Sequence, residues 1–254
     1  MSQTSAARST DRRWSTKRAP AINAGIQLTL LTRFELACDG SVVPLPMSAQ
    51  RLLAFLALHT RPLLRPYVAG TLWPETSEER AHASLRSALW RLHRCGYYPI
   101  DAVGPCLRLG SVVEVDLRTS EEFARGVLDE TNVRALDADL SPLFGDLLPD
   151  WYEDWVLIER ERFRQVRLRA LDALCERLTG AGRLDAAFDV GLAALAAEPL
   201  RESAHRALVR IHLAEGNAGE ALRQYRLCRR LLGEQLGITP SEQMERLVGG
   251  VTPA

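Results

Sequence analysis

The sequence predicts a mainly α-helical protein, with a small α+β unit at the N-terminal end and an all-α unit of paired helices after it. Three observations carry this expectation. Strand-like alternation and turn dipeptides are confined to the residues up to Leu117. After Leu117 the apolar residues recur at helical spacing only. The charge divides near the same place. Residues 1–110 hold 14 basic and 7 acidic groups, whereas residues 111–254 hold 18 basic and 25 acidic. The formal net charge of zero is thus a cancellation between +7 and −7. It excludes a uniformly basic nucleic-acid protein, an acidic solvating tail and a disordered chain, and it leaves a basic module joined to an acidic one. A length of 254 residues, 46% hydrophobic and 25% charged, fits one large or two small globular domains.

The elements follow in chain order. Residues 1–25 are polar and basic (Arg8, Arg12, Arg13, Lys17, Arg18) with no apolar run, so they read as a disordered arm and not as a secretory leader. Ile26–Leu31, Arg33–Cys38 and Val42–Leu45 read as three short strands of a meander, turned at Asp39-Gly40. Pro44 restricts the third to an edge. Ala49–His59 switches to helical period, with Ser48 as the expected N-cap. Pro66–Leu72 is a short second helix with proline in its first turn.

The third helix carries the most information. Thr76 and Glu79 have capping-box spacing, and the pattern runs to Cys95 before Gly96. Ala81, Leu85, Ala88, Leu89 and Leu92 line one face. His82, Arg86, Ser87, Trp90, Arg91 and Arg94 line the other, with no acid after Glu79. Leu107–Leu109 and Val112–Leu117 then read as a hairpin around Gly110-Ser111. Meander, three helices and hairpin together describe a winged helix-turn-helix at residues 26–117.

Residues 118–249 read as helices at Ser120–Asp129, Val133–Leu140, Trp151–Leu178, Arg183–Ala197, Glu202–Ala214, Ala218–Leu236 and Ser241–Val248, and 250–254 as a tail. Gly182 and Gly216 are 34 residues apart, and Leu174, Ala187 and Phe188 recur as Leu208, Ala221 and Leu222. That is the tetratricopeptide period, so a tetratricopeptide-like repeat is expected.

Neither catalysis nor a cofactor is expected. Phosphate-cradling, zinc-protease and nucleophile-elbow motifs are absent. The cysteines (Cys38, Cys95, Cys106, Cys175, Cys228) form no C-x-x-C pair and read as reduced thiols, not as a zinc site. No run of apolar residues is long enough to cross a membrane, and a cytoplasmic protein is expected.

The residues resemble one family. Leu72-Trp73-Pro74-Glu75, followed by Ala81-x-x-x-Leu85-Arg86-x-x-Leu89-x-x-Leu92, is similar to the winged-helix signature of SARP regulators, the antibiotic-pathway activators of actinobacteria. Gly145-x-Leu147-Leu148-Pro149, Trp155 and Arg160–Arg167 resemble the opening of the bacterial transcriptional activation domain (BTAD) that follows in that family. The resemblance covers about residues 26–248. Thr60–Pro66 departs from it, where the family more often has a Gly-containing turn and a Val-Ser start. No receiver or large ATPase segment accompanies the match, so phosphorylation and nucleotide control are not expected. The resemblance implies a transcriptional activator of a secondary-metabolite gene cluster. It implies promoter DNA with direct repeats, RNA polymerase and a second protomer on DNA as partners.

The candidate DNA contacts come from residue chemistry. A guanidinium can hold guanine O6 and N7 with two hydrogen bonds, and all basic residues except Lys17 are arginine. Arg86, Arg91 and Arg94 are the expected base or phosphate contacts, with Ser87 and Trp90 beside them. Arg51 and Arg80 are expected at phosphates and Arg108 in the wing. Ordinary readings stand beside these: Arg86 paired with Glu75 or Glu79, the other arginines solvated, Trp90 covering a core edge. The acidic half suits protein partners, and Asp150–Asp154 is its candidate edge. The alternatives are a repeat scaffold whose winged helix binds no DNA, and an enzyme without a known motif.

Overall fold

A computed structural model describes residues 25–94, 98–129, 136 and 139–250. The expected arm, the Cys95-Gly96 helix stop and most of the expected helix Val133–Leu140 lie outside them. Strands β1 (Ile26–Thr29), β2 (Glu35–Cys38) and β3 (Ser41–Val42) form the meander, with β3 at the edge as Pro44 requires. Helices α1 (Met47–Ala57), α2 (Arg65–Leu72) and α3 (Glu78–Arg94) follow, with the two-residue strand β4 (Leu63–Leu64) between the first two. Strands β5 (Ile100–Val103), β6 (Cys106–Leu109) and β7 (Val113–Val115) close the α+β unit.

The hairpin differs from expectation. It joins β5 to β6, with Val103 opposite Cys106 and Gly104-Pro105 at the tip. Gly104 takes a left-handed conformation (φ +57°) that suits a tight turn. Gly110 does not turn the chain. Its N–H donates to the Pro99 carbonyl at 2.8 Å and closes the base of the hairpin. The next strand, β7, leaves for the other sheet and pairs parallel with β1, in the order β3-β2-β1-β7. Alternation could not show this, because a hairpin strand and a sheet-edge strand share a period of two.

Two caps also differ. Pro46, not Ser48, occupies the N-cap of α1, so that helix starts two residues early. The Thr76 hydroxyl donates to the Trp73 carbonyl at 3.1 Å, and α3 starts at Glu78, one residue past the start that Thr76 as N-cap requires. The Ser77 carbonyl accepts from Ala81 N–H at 2.9 Å instead.

Among the described residues the helical unit contains α4 (Asp116–Leu128), a 3₁₀ turn (Ser141–Leu143), α5 (Asp154–Gly180), α6 (Leu184–Ala197), α7 (Glu202–Ala214), α8 (Ala218–Leu236) and α9 (Glu242–Gly249). Gly182 (φ +74°) and Gly216 (φ +79°) turn α5 into α6 and α7 into α8. The 34-residue spacing reappears in side-chain pairs: Arg164 bonds Glu198, and Glu176 bonds Arg210. Inside the second hairpin His205 is fully buried. Its Nε2 lies 3.0 Å from the Pro199 carbonyl and its Nδ1 2.7 Å from Gln224 Nε2, so it is held as the neutral Nε2–H form. Burial lowers its pKa below the ordinary histidine value, against a weaker opposite pull from the Pro199 bond and Glu202.

One core spans the two units. Leu147, Leu148, Val156 and Phe163 pack with the N-terminal strands and helices. The segment before α5 runs beside the end of β1: Thr32 N–H donates to Asp146 O (2.7 Å) and Leu148 N–H to Leu30 O (2.9 Å). Asp116 accepts from the Leu30, Leu31 and Leu117 amides at 2.7–2.9 Å. Arg160 donates to the Leu147, Leu148 and Trp151 carbonyls. The buried Arg167 bonds the Gly145 carbonyl and Asp146. Gly145 has to be glycine here, since a Cβ would lie 2.8 Å from Leu31 Cβ.

Gly145→Ala forces the connector from β1 and destabilises the protein by about 1–3 kcal/mol, read from the urea midpoint at unchanged slope. Unfolded His205 binds a proton at higher pH than the native one, so stability falls as pH drops below about 6.5. Urea unfolding across that range shows a weaker pH dependence in His205→Asn.

Candidate nucleic-acid interface

α3 is oriented by its apolar stripe. Ala81, Leu85, Ala88 and Leu92 are buried in the core, and Leu89 packs against it. Burying a leucine contributes about 1.5–3 kcal/mol, which fixes the rotation of the helix about its axis. The opposite face is therefore held in solvent. Arg80, Arg86, Ser87, Trp90 and Arg91 are all exposed, Trp90 at 57%. Acids on α3 are confined to Glu78 and Glu79 in its first turn, where the helix dipole favours them. Among the described residues Arg86 has no ion pair, so neither Glu75 nor Glu79 takes its charge. Arg80 likewise has none. Arg94 ends the helix, and its side chain lies outside the described residues.

The β5–β6 wing stands after α3 in the chain. Its tip exposes Val103 (45%). Arg108 donates from Nε and Nη2 to Asp101 Oδ2, both at 3.1 Å, across the registered Asp101–Arg108 pair. Both side chains are over 40% exposed, and an exposed pair of this kind contributes about 0–1 kcal/mol. Arg108 is thus held but open to exchange.

Arg51 differs from expectation. Its Nε lies 2.9 Å from Glu153 Oε1, and its side chain is 21% exposed. Its charge serves the junction between the units. The partner is 102 residues away in the chain, and no local pattern marks it. Glu153 belongs to the expected acidic edge, which the structure divides. Trp151 stacks on Phe34 at 5.8 Å and meets Trp155 edge-on at 6.2 Å. Trp155 in turn meets Phe55 of α1 edge-on at 5.2 Å. Only Asp150, Tyr152 and Asp154 of that edge remain exposed. Trp73 packs against the core.

Burial pushes the Cys175 and Cys228 thiols up to about 11, which makes them inert. A cleft of about 220 Å³ between α5 and α7 is lined by Glu176, Thr179, Ala207 and Arg210 and holds no nucleophile–base pair. Among the described residues no helix is long and apolar enough to cross a membrane.

Residues 115–251 match the family described as the bacterial transcriptional activator domain. The fold is similar to that of Mycobacterium tuberculosis EmbR, solved in complex with a low-affinity phosphopeptide, with a TM-score of 0.73 and 23% identity. The match covers 91% of this chain and 66% of that one, just under two thirds of its length. No curated protein sequence matches the chain.

Proposed function

The chain belongs to the bacterial transcriptional activator domain family, and from that premise we propose that it binds promoter DNA through α3 and regulates transcription. The observation that carries this reading is the exposed face of α3, which presents Arg86, Ser87, Trp90 and Arg91 with no acid beyond the first turn. In the reading, α3 enters the major groove, where a guanidinium takes guanine O6 and N7. Arg94 extends the same face by its place in the sequence. Arg80 meets a phosphate near the start of the helix. Arg108 reaches the backbone or minor groove by exchanging Asp101 for phosphate. Arg51 is left out, because Glu153 already holds it.

The finer parts of the reading rest on the family resemblance. The protein activates a secondary-metabolite gene cluster in the cytoplasm by recruiting RNA polymerase, and two protomers sit on direct repeats. The DNA-binding unit is residues 26–117, and the tetratricopeptide-like unit, residues 118–249, faces protein. The reading includes no catalysis and no cofactor.

Fluorescence anisotropy with promoter fragments from the gene's neighbourhood tests it. Affinity falls steeply as salt rises, because phosphate contacts release counterions. Arg86→Ala and Arg91→Ala each cost about 1–3 kcal/mol of binding, with thermal unfolding unchanged. If no neighbouring promoter fragment binds at low salt, the reading fails. If both variants bind like the parent, the assignment of α3 fails.

A further inference from the structure

Among the described residues, most arginines of the helical unit are held by carboxylates or by backbone carbonyls. Arg164 is paired with Glu161 and Glu198, Arg201 with Asp172, Arg206 with Glu202 and Arg210 with Glu176. α8 breaks this pattern. Arg223, Arg226 and Arg230 recur at i, i+3 and i+7, which on a helix is one stripe, and all are exposed. Arg223 reaches only Glu220 of its own turn, through side chains 73% and 50% exposed. Such a pair exchanges at little cost. Arg226 and Arg230 have no carboxylate partner among the described residues. The other side of α8 is occupied, since Ala221, Cys228 and Leu232 are buried with Met244 and Val248 of α9.

Exposed acids close the stripe at its two ends, Glu220 three residues before Arg223 and Glu234 four residues after Arg230. Arg223 to Arg230 spans about 10 Å at the helical rise, room for two or three carboxylates. A duplex carries its negative charge on in both directions and would meet the framing acids. A short segment would not. The guanidinium fork matches a carboxylate in plane, with two parallel hydrogen bonds.

We propose that the α8 stripe docks a short acidic segment of a protein partner, with carboxylates in the Arg223, Arg226 and Arg230 forks. This surface is separate from α3 and does not depend on how α3 is used.

The test is anisotropy of the full chain with an end-labelled acidic peptide of about four residues, Asp and Glu, against a control carrying Asn and Gln. The acidic peptide binds in a salt-sensitive way. Arg226→Glu with Arg230→Glu weakens it by about tenfold or more, without change in thermal unfolding. Arg86→Ala with Arg91→Ala leaves it unchanged. The proposal is overturned if the acidic peptide fails to bind at low salt, if the control binds as well, or if charge reversal has no effect. It is equally overturned if reversal weakens a random-sequence duplex but spares the peptide, which would assign the stripe to nucleic acid.

Discussion

The segment from Gly145 to Trp151 holds the molecule together. It lies against the end of β1 on one side and under two arginines of α5 on the other. Several of its backbone carbonyls are partly buried between the two units. A carbonyl left unpaired there would cost about 1–3 kcal/mol. Arg160 and Arg167 satisfy these carbonyls, and their donors fan out in a plane as only guanidinium donors do. Asp116 performs the converse task at the end of β1, where its carboxylate takes two amides that the sheet leaves open. Burial raises its pKa while the amide bonds lower it. One acid and two arginines thus replace the ladder that a further strand would have supplied.

This joint makes the α+β unit and the opening of α5 one packed body. The aromatic contacts run from Phe34 through Trp151 and Trp155 to Phe55, so α5 leans on α1. α1 in turn packs on α3. A change of packing at α5 therefore reaches the helix proposed to read DNA through two contacts. The ion pair between Arg51 and Glu153 lies on the same route. The residues that resemble the start of a transcriptional activation domain are the ones that build this joint: Gly145, Leu147, Leu148, Trp155, Arg160 and Arg167.

Much of the fold was legible in the chain because it is set locally. The boundaries of α7 and α8 match the periodic runs, since Gly216 and Gly237 adopt positive φ where the runs stop. The buried stripe of α3 was legible for the same reason, and its exposed basic face with it. The wing was misplaced by one strand. Ile100–Val103 is short and contains Asp101, so it carries little alternation, whereas Val113–Val115 alternates well yet pairs with β1. Register and partner are long-range properties, and a period of two is blind to them.

The sequence by itself determined the division into a basic and an acidic half, the helices of the second half and the face of α3 that must be buried. These depend on residue types at short spacing, where steric and solvation preferences act. Tertiary structure decided which charges remain available. Arg51 and Arg86 look alike in the chain, but one meets Glu153 and the other meets solvent. The acidic edge at 150–154 likewise divides into residues of the joint and residues of the surface. The net charge of each half says nothing of this, because an arginine's availability depends on what the fold brings within about 4 Å of it.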